Sequence, residues 1–187
     1  MTRDRHTTRM AFSVETDKQP NVIAVQGAIE QRGVATRAIG EVLTEAENTG
    51  AETNILDLAE LALPPYNPDQ LASEEIDSVV RQISRADALV LATSIQHDSY
   101  SAQLKNAMDY CSSKDFDDKP VGLIGVTEGR GPALALEHLR TVCTTINALV
   151  LPMQVSISAD WGHDQLSMDS VNALRALGRQ VVDEAFH

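Results

Sequence analysis

No apolar run in the sequence is long enough to cross a bilayer. The longest, near Val22 to Val25, Ala88 to Ala92 and Ala148 to Met153, fall far short of the roughly 18 residues a spanning helix needs. Positive charge is also scarce: 15 basic residues stand against 27 acidic ones, for a formal net charge of -12, and Lys18, Lys105, Lys114 and Lys119 are the only lysines. Nucleic acid and anionic membrane need basic surface to displace counterions, so neither is expected as a partner. An acidic, lysine-poor surface is instead expected of a halophilic protein, soluble where salt screens charges within a few ångströms. The two cysteines, Cys111 and Cys143, have no C-x-x-C spacing and fall on apolar helical faces. They read as core thiols, with no disulfide and no cysteine-ligated metal. No Ser-His-Asp arrangement or Walker loop is recognisable, and His138 and His163 have no partner spacing for a metal. No catalytic residue and no metal site is therefore assigned.

At 187 residues, 43% of them hydrophobic, the chain can bury one full core. Residues 1–19 are arginine-bearing but lack a sustained apolar segment, so they read as a poorly ordered polar lead and not a secretory signal. Residues 20–187 are expected to form one domain, located in the cytoplasm.

Within that domain, short continuous apolar runs alternate with helical stripes. Val22 to Val25 and Ala88 to Ala92 are too short for helices and show no alternation, which marks strands buried on both faces of a parallel sheet. Thr53 to Leu58, Val121 to Val126 and Leu149 to Ile157 complete five strands. Apolar residues at helical spacing predict the intervening helices: Ala35, Ala38, Ile39, Val42, Leu43 and Ala46, then Ile76, Val79, Val80 and Ile83. Leu104, Ala107, Met108 and Cys111 form a third stripe, Ala135, Leu139, Val142, Cys143 and Ile146 a fourth, and Val171, Leu174, Gly178, Val181 and Ala185 a fifth. Gly50 suits the left-handed position that ends the first helix. Leu63 to Pro68 is too rich in proline to be helical and reads as a rigid loop.

Right-handed crossovers then give a doubly wound α/β fold, a five-stranded parallel sheet of order 2-1-3-4-5 with helices on both faces. Its switch point lies between the first and third strands. Three loops converge there: Gln26 to Thr36, Thr93 to Ser101, and Thr127 to Pro132. Thr93 to Ser99 is expected to be the turn that leaves the central strand.

The segment TSIQHDSYSAQLKNAMDY resembles a stretch of the NAD(P)H-dependent flavin mononucleotide (FMN) reductases, T-P-x-Y-x-x-S-x-x-x-x-L-K-N-x-x-D. Thr93, Ser99, Leu104, Lys105, Asn106 and Asp109 match it. The likeness extends from about Val22 to Val155 and includes Leu56 to Leu58, the Leu63-Pro64 loop and the Lys119-Pro120 pair before the fourth strand. It implies a flavodoxin-like fold, FMN as cofactor, NAD(P)H as co-substrate, a small-molecule electron acceptor, and a homodimer or tetramer. It places cofactor contacts at Gly27, Gly33, Thr36, Thr93, Ser94, Gln96, His97, Ser99, Thr127 and Gly129. Hydride transfer in such a protein is done by the cofactors, so the lack of a catalytic motif does not oppose it.

The departures fall in the flavin loops. The family's first loop reads G-S-x-R-x-x-S, whereas here Gly27 is followed by Ala28, Glu30 and Gly33. Glu30 puts a negative charge where a phosphate would lie, and Ala28 and Gly33 remove hydroxyl donors. Ser94 replaces a proline and Gln96 a tyrosine. Weak flavin binding is the expectation. Lys105, Asn106 and Asp109 also admit a plain structural reading, in which they cap, pair and solvate their helix, and Gly27 one as a tight-turn glycine. Two functions stay open: an NAD(P)H-dependent flavin reductase-like oxidoreductase, and a degenerate, non-catalytic binding or regulatory protein that keeps the fold.

Overall fold

The computed structural model describes residues 19–28, 32–69, 72–127, 133–158 and 165–186. Residues 1–18, most of the expected lead, lie outside them, as do Glu30, Gly129 and His163. The elements in chain order are β1 (Asn21–Gln26), α1 (Arg32–Asn48), β2 (Glu52–Asp57), α2 (Glu74–Arg85), β3 (Ala88–Gln96), β4 (Ser99–Tyr100) and α3 (Ala102–Asp109). Then come β5 (Pro120–Thr127), α4 (Ala133–Thr145), β6 (Leu149–Ser158) and α5 (Met168–Ala185). The long strands lie in the order β2-β1-β3-β5-β6, and every pairing among them is parallel.

The strand count differs from expectation: the described residues form a six-stranded sheet, because β4 pairs antiparallel with the end of β3. The expected turn at Thr93 to Ser99 is mostly strand. β3 continues to Gln96, and only His97 and Asp98 make the turn. The apolar run stops at Ala92, but Thr93 and Ser94 remain in the ladder against β5, pairing with Gly125 and Val126. Backbone pairing, which hydrophobicity does not report, carries the strand past its apolar stretch.

Alternating strand residues build two separate cores. Val22, Ala24, Ala88, Val90, Ala92, Ile124 and Val126 face α1 and α5. Ile23, Val25, Leu89, Leu91, Val121 and Leu123 face α2, α3 and α4. The α1–α5 side of β1 and β3 carries mainly Ala and Val, so those helices pack close to the sheet; the opposite side takes the larger Leu and Ile. The first helix ends as expected: Gly50 has φ 103°, its N–H donates to the Glu47 carbonyl at 3.0 Å, and the Ala51 N–H donates to the Ala46 carbonyl at 3.0 Å. Lys119 closes another helix end, its Nζ donating to the carbonyls of Ile83 and Ser84, both at 2.7 Å. A cation at that end of α2 is favoured by the helix dipole. Burial nevertheless lowers the Lys119 pKa, against the opposing pull of Asp115 and Asp87.

Cys111 and Cys143 are separate free thiols. Burial pushes each thiol up to about 12, with Asp115 adding to the effect at Cys111. A raised folded-state pKa contributes stability that is full below the unfolded value of 9.0 and is lost as pH climbs toward 12. Lys119 acts in the opposite sense, since its depressed amine makes stability rise with pH, so a difference measurement is needed. Wild type should lose more stability than Cys143→Ala between pH 9 and 12 in denaturant titrations. Parallel losses in the two proteins would contradict the buried-thiol account.

Candidate functional site

The chain builds β2 on one flank of β1 and then crosses to build β3 on the other. Connections that leave in opposite directions open a crevice at the carboxyl ends of β1 and β3. One group of hydrogen bonds organises this point. Ser101 is 2% exposed and caps α3, its Oγ accepting from the Leu104 N–H at 3.2 Å. The same hydroxyl donates to the Gly27 carbonyl. The Ser101 N–H donates to Thr93 Oγ1 at 2.9 Å, and that hydroxyl donates to the Ser94 carbonyl at 2.9 Å. Gly27 N–H in turn donates to the Ala92 carbonyl at 2.8 Å. The ends of β1 and β3 and the start of α3 are thus tied together. Gly27 permits the approach, because a Cβ there would stand 2.7 Å from Leu104 Cβ.

Beyond this junction, Gln96 pairs with Ser99 across His97 and Asp98, whose φ angles of 49° and 57° suit a two-residue hairpin turn of type I′. Left-handed backbone in non-glycine residues costs on the order of 1 kcal/mol each. Pairing of β3 with β4 and the Ser101 cap hold the turn in place. Gln96 and His97 are exposed and Ser99 is half-buried.

Ser94 is fully buried, yet its Oγ has no hydrogen-bond partner among the described residues. An unpaired buried hydroxyl costs about 1–3 kcal/mol. It lies at the carboxyl end of a central strand, next to the crevice, where a ligand rich in oxygen and nitrogen would satisfy it. The ribityl chain and ring carbonyls of a flavin meet that requirement. The residues here therefore fit the cofactor that the sequence resemblance implies.

A second group lies on the other side of β1. Gln26 is 1% exposed; its Nε2 donates to Asp57 Oδ2 at 2.8 Å and its Oε1 accepts from Thr36 Oγ1 at 2.9 Å. Asp57 Oδ1 accepts from the Ala59 N–H at 3.0 Å. These residues join Gly33, Arg37, Ile55 and Glu60 around a cleft of about 660 Å³. The ten residues singled out in the sequence are accordingly divided. Gly33 and Thr36 line the β1–β2 cleft. Thr93, Ser94, Gln96, His97 and Ser99 belong to the β3 hairpin, and Gly27 stands between the two groups. Thr127, 7% exposed, ends β5 beside them, and Gly129 is outside the described residues. Ala28 is fully buried in the α1–α5 core, so the loss of a hydroxyl there is a packing matter.

The matched helix residues serve the scaffold. Lys105 pairs with Asp109 one turn on. Asn106 holds the proline loop, its Oδ1 accepting from the Tyr66 N–H at 2.7 Å and its Nδ2 donating to the Pro64 carbonyl at 2.8 Å. Tyr110 donates to the carbonyls of Pro64 and Pro65 and meets Tyr66 edge-on, with ring centroids 5.3 Å apart. Gln26 and Ser101 bounded the loops expected at the site, but neither they nor Asp57 were singled out as contacts. Their signals were a polar residue closing an apolar strand and a serine just ahead of a helical stripe.

The sequence of residues 20–162 matches the family model described as NADPH-dependent FMN reductase. This chain belongs to that family. An FMN-dependent NADPH-azoreductase of Staphylococcus aureus is 34% identical over 128 residues, covering 65% of this chain and 68% of that protein. Among solved structures, the flavoenzyme NAD(P)H:(acceptor) oxidoreductase FerB of Paracoccus denitrificans superposes with a TM-score of 0.72 at 22% identity, covering 89% of this chain and 97% of its own. The azoreductase of Bacillus anthracis gives a TM-score of 0.60 at 18% identity, over 89% and 99% of the two chains. These two show a shared fold. Family membership supports the oxidoreductase over the non-catalytic alternative, with FMN as cofactor and NAD(P)H as co-substrate.

Gly27→Ala should push α3 away from β1 and lower stability by about 1–3 kcal/mol. Urea denaturation would measure the loss, and an unchanged midpoint would show that this contact is not tight.

Proposed function

We propose that the chain holds FMN in the crevice at the carboxyl ends of β1 and β3, accepts hydride from NAD(P)H there, and reduces a small acceptor of the azo or quinone class. The buried, unpartnered Ser94 hydroxyl carries this reading. When bound, the flavin supplies the hydride chemistry, and the protein supplies position and electrostatics. Ser94 would donate to an oxygen of the flavin. Gln96, His97 and Ser99, on the hairpin, would border the ring system, with Thr127 at the end of β5 beside them. Gly33 and Thr36, in the first turns of α1, flank the phosphate, with Gly27 keeping the strand ends close. Glu30 stands where the family has an arginine, and it weakens the phosphate contact.

The same reading includes a homodimer or tetramer built across the helices that flank these loops. A groove of about 280 Å³ between α3 and α4, lined by Met108, Val142 and Ile146 among others, supports association on that side. Light scattering in concentrated salt should give a dimer or tetramer mass; a monomer at every protein concentration would remove this part.

Two substitutions test the site. Ser94→Ala should leave the flavin-free protein as stable or more stable, because an unsatisfied hydroxyl is gone, while FMN affinity falls about tenfold. Glu30→Arg should raise FMN affinity by about tenfold or more. Fluorescence quenching at fixed salt reads both. A wild type that binds no FMN and does not oxidise NADPH in the presence of FMN and a quinone would overturn the proposal.

A further inference from the structure

A smaller pocket, of about 290 Å³, opens between α3 and the proline loop, lined by Leu63, Pro65, Ala102, Gln103 and Asn106. Its position follows from the junction at Ser101. Ala102 is the next residue along, and Leu63 and Pro65 lie in the segment that leaves the carboxyl end of β2, so the pocket is on the same edge of the sheet as the flavin crevice. Its walls are fixed in place. Asn106 uses both ends of its amide on the loop, at the Tyr66 N–H and the Pro64 carbonyl, and Tyr110 donates to the Pro64 and Pro65 carbonyls. Gln103 is different: its Oε1 is buried and has no hydrogen-bond partner among the described residues. A carbonyl oxygen buried without a donor is costly, so a donor is missing from its surroundings. None of the five lining residues carries a charge.

We infer that this pocket holds the ring of the electron acceptor, and that Gln103 Oε1 selects acceptors bearing an N–H or O–H hydrogen on that ring. The acceptor role rests on the flavin reading above, whereas the binding itself needs only the chain's own walls. Three observations narrow the ligand. A volume of about 290 Å³ is at the small end of small-molecule sites and suits a single ring or a fused pair. Leu63, Pro65 and Ala102 offer apolar surface to a ring face, while no cation lines the pocket to draw a phosphate or sulfonate. An amide oxygen can only accept, so the occupant must bring a donor. The terminal torsion of a glutamine is broad, which lets Oε1 turn to that donor with little strain. A neutral quinone or azo compound carrying an amino or hydroxyl group meets all three requirements.

The probes are aminonaphthoquinone, with its amino group on the quinone ring, and menadione, which has a methyl group there and no donor. Each is titrated into flavin-free and FMN-loaded protein while NMR follows the glutamine side-chain amides. The Gln103 amide, identified by its loss in Gln103→Leu, should shift and saturate with aminonaphthoquinone at a Kd of about 1 mM or tighter, and menadione should bind about tenfold more weakly. Turnover with FMN and NADPH reads the same preference. Gln103→Leu should lower the ratio of kcat/KM for aminonaphthoquinone over menadione about tenfold, and Gln103→Glu, which keeps an acceptor oxygen, should retain it. Comparing ratios cancels the different reactivity of the two quinones. Flavin-free Gln103→Leu should melt no lower than wild type, because an unpaired buried oxygen is gone. A Gln103 amide that moves with neither quinone overturns the inference. So does one that moves with protein concentration alone, which is the mark of a second copy of the chain over this face, or a kcat/KM ratio that Gln103→Leu leaves as it was. None of these results touches FMN binding, which is titrated separately. Failure to load FMN, with the amide shifts intact, counts against the flavin crevice and not against the pocket.

Discussion

The Ser101 hydroxyl is the point on which the site depends. It accepts from the first turn of α3 and donates to the carbonyl that ends β1, while its own amide is received by Thr93 at the end of β3. The neighbouring β3 and α3 therefore share one buried residue with β1, whose end lies 74 residues back in the chain. In a buried setting each of these groups is costly to leave unpaired, so the bonds form together or fail together. The spacing of β1, β3 and α3 follows from them, and Gly27 is the only residue type that the resulting gap admits.

The rest of the architecture carries that junction. The side of β1 and β3 rich in Ala and Val lets α1 and α5 lie close, and the Leu-bearing face seats α2, α3 and α4. Asn106 and Tyr110 extend α3's influence by holding the proline loop at Pro64 to Tyr66. Because these residues are committed to the scaffold, the proposed flavin contacts fall to the buried Ser94 hydroxyl and the exposed hairpin. A flavin reductase can be built this way because the cofactors react and the protein positions them.

Much of the fold was legible in the sequence. Continuous apolar runs marked the long strands, helical stripes marked the helices, and Gly50 marked a helix end that the structure confirms. The β3–β4 hairpin was not legible, since its turn uses His97 and Asp98 in place of the Asn-Gly or Gly-Gly pairs that usually announce one. A second left-handed helix end, at Asn147 with φ 65°, was missed for a similar reason. At the site, the resemblance around Thr93 to Asp109 pointed to the corner where β3 ends and α3 begins. It did not show that Asn106 serves a loop 40 residues away in sequence, nor that Thr36 turns toward Gln26 and Asp57. Those facts depend on which strands become neighbours, and a linear pattern does not record them. The charge reversal at Glu30 was evident in the sequence, but the burial of Ala28 in the α1–α5 core needed the structure.

The central claim is that the Ser101 junction sets the geometry of the flavin crevice, and native-state hydrogen exchange on Ser101→Ala tests it most directly when read with FMN present and absent. The account predicts that protection of the Gly27, Ser101 and Leu104 amides falls while the β5 amides keep theirs, and that FMN restores little of the lost protection because it binds the variant weakly. Unchanged protection at those three amides, with FMN binding as in the wild type, would contradict it.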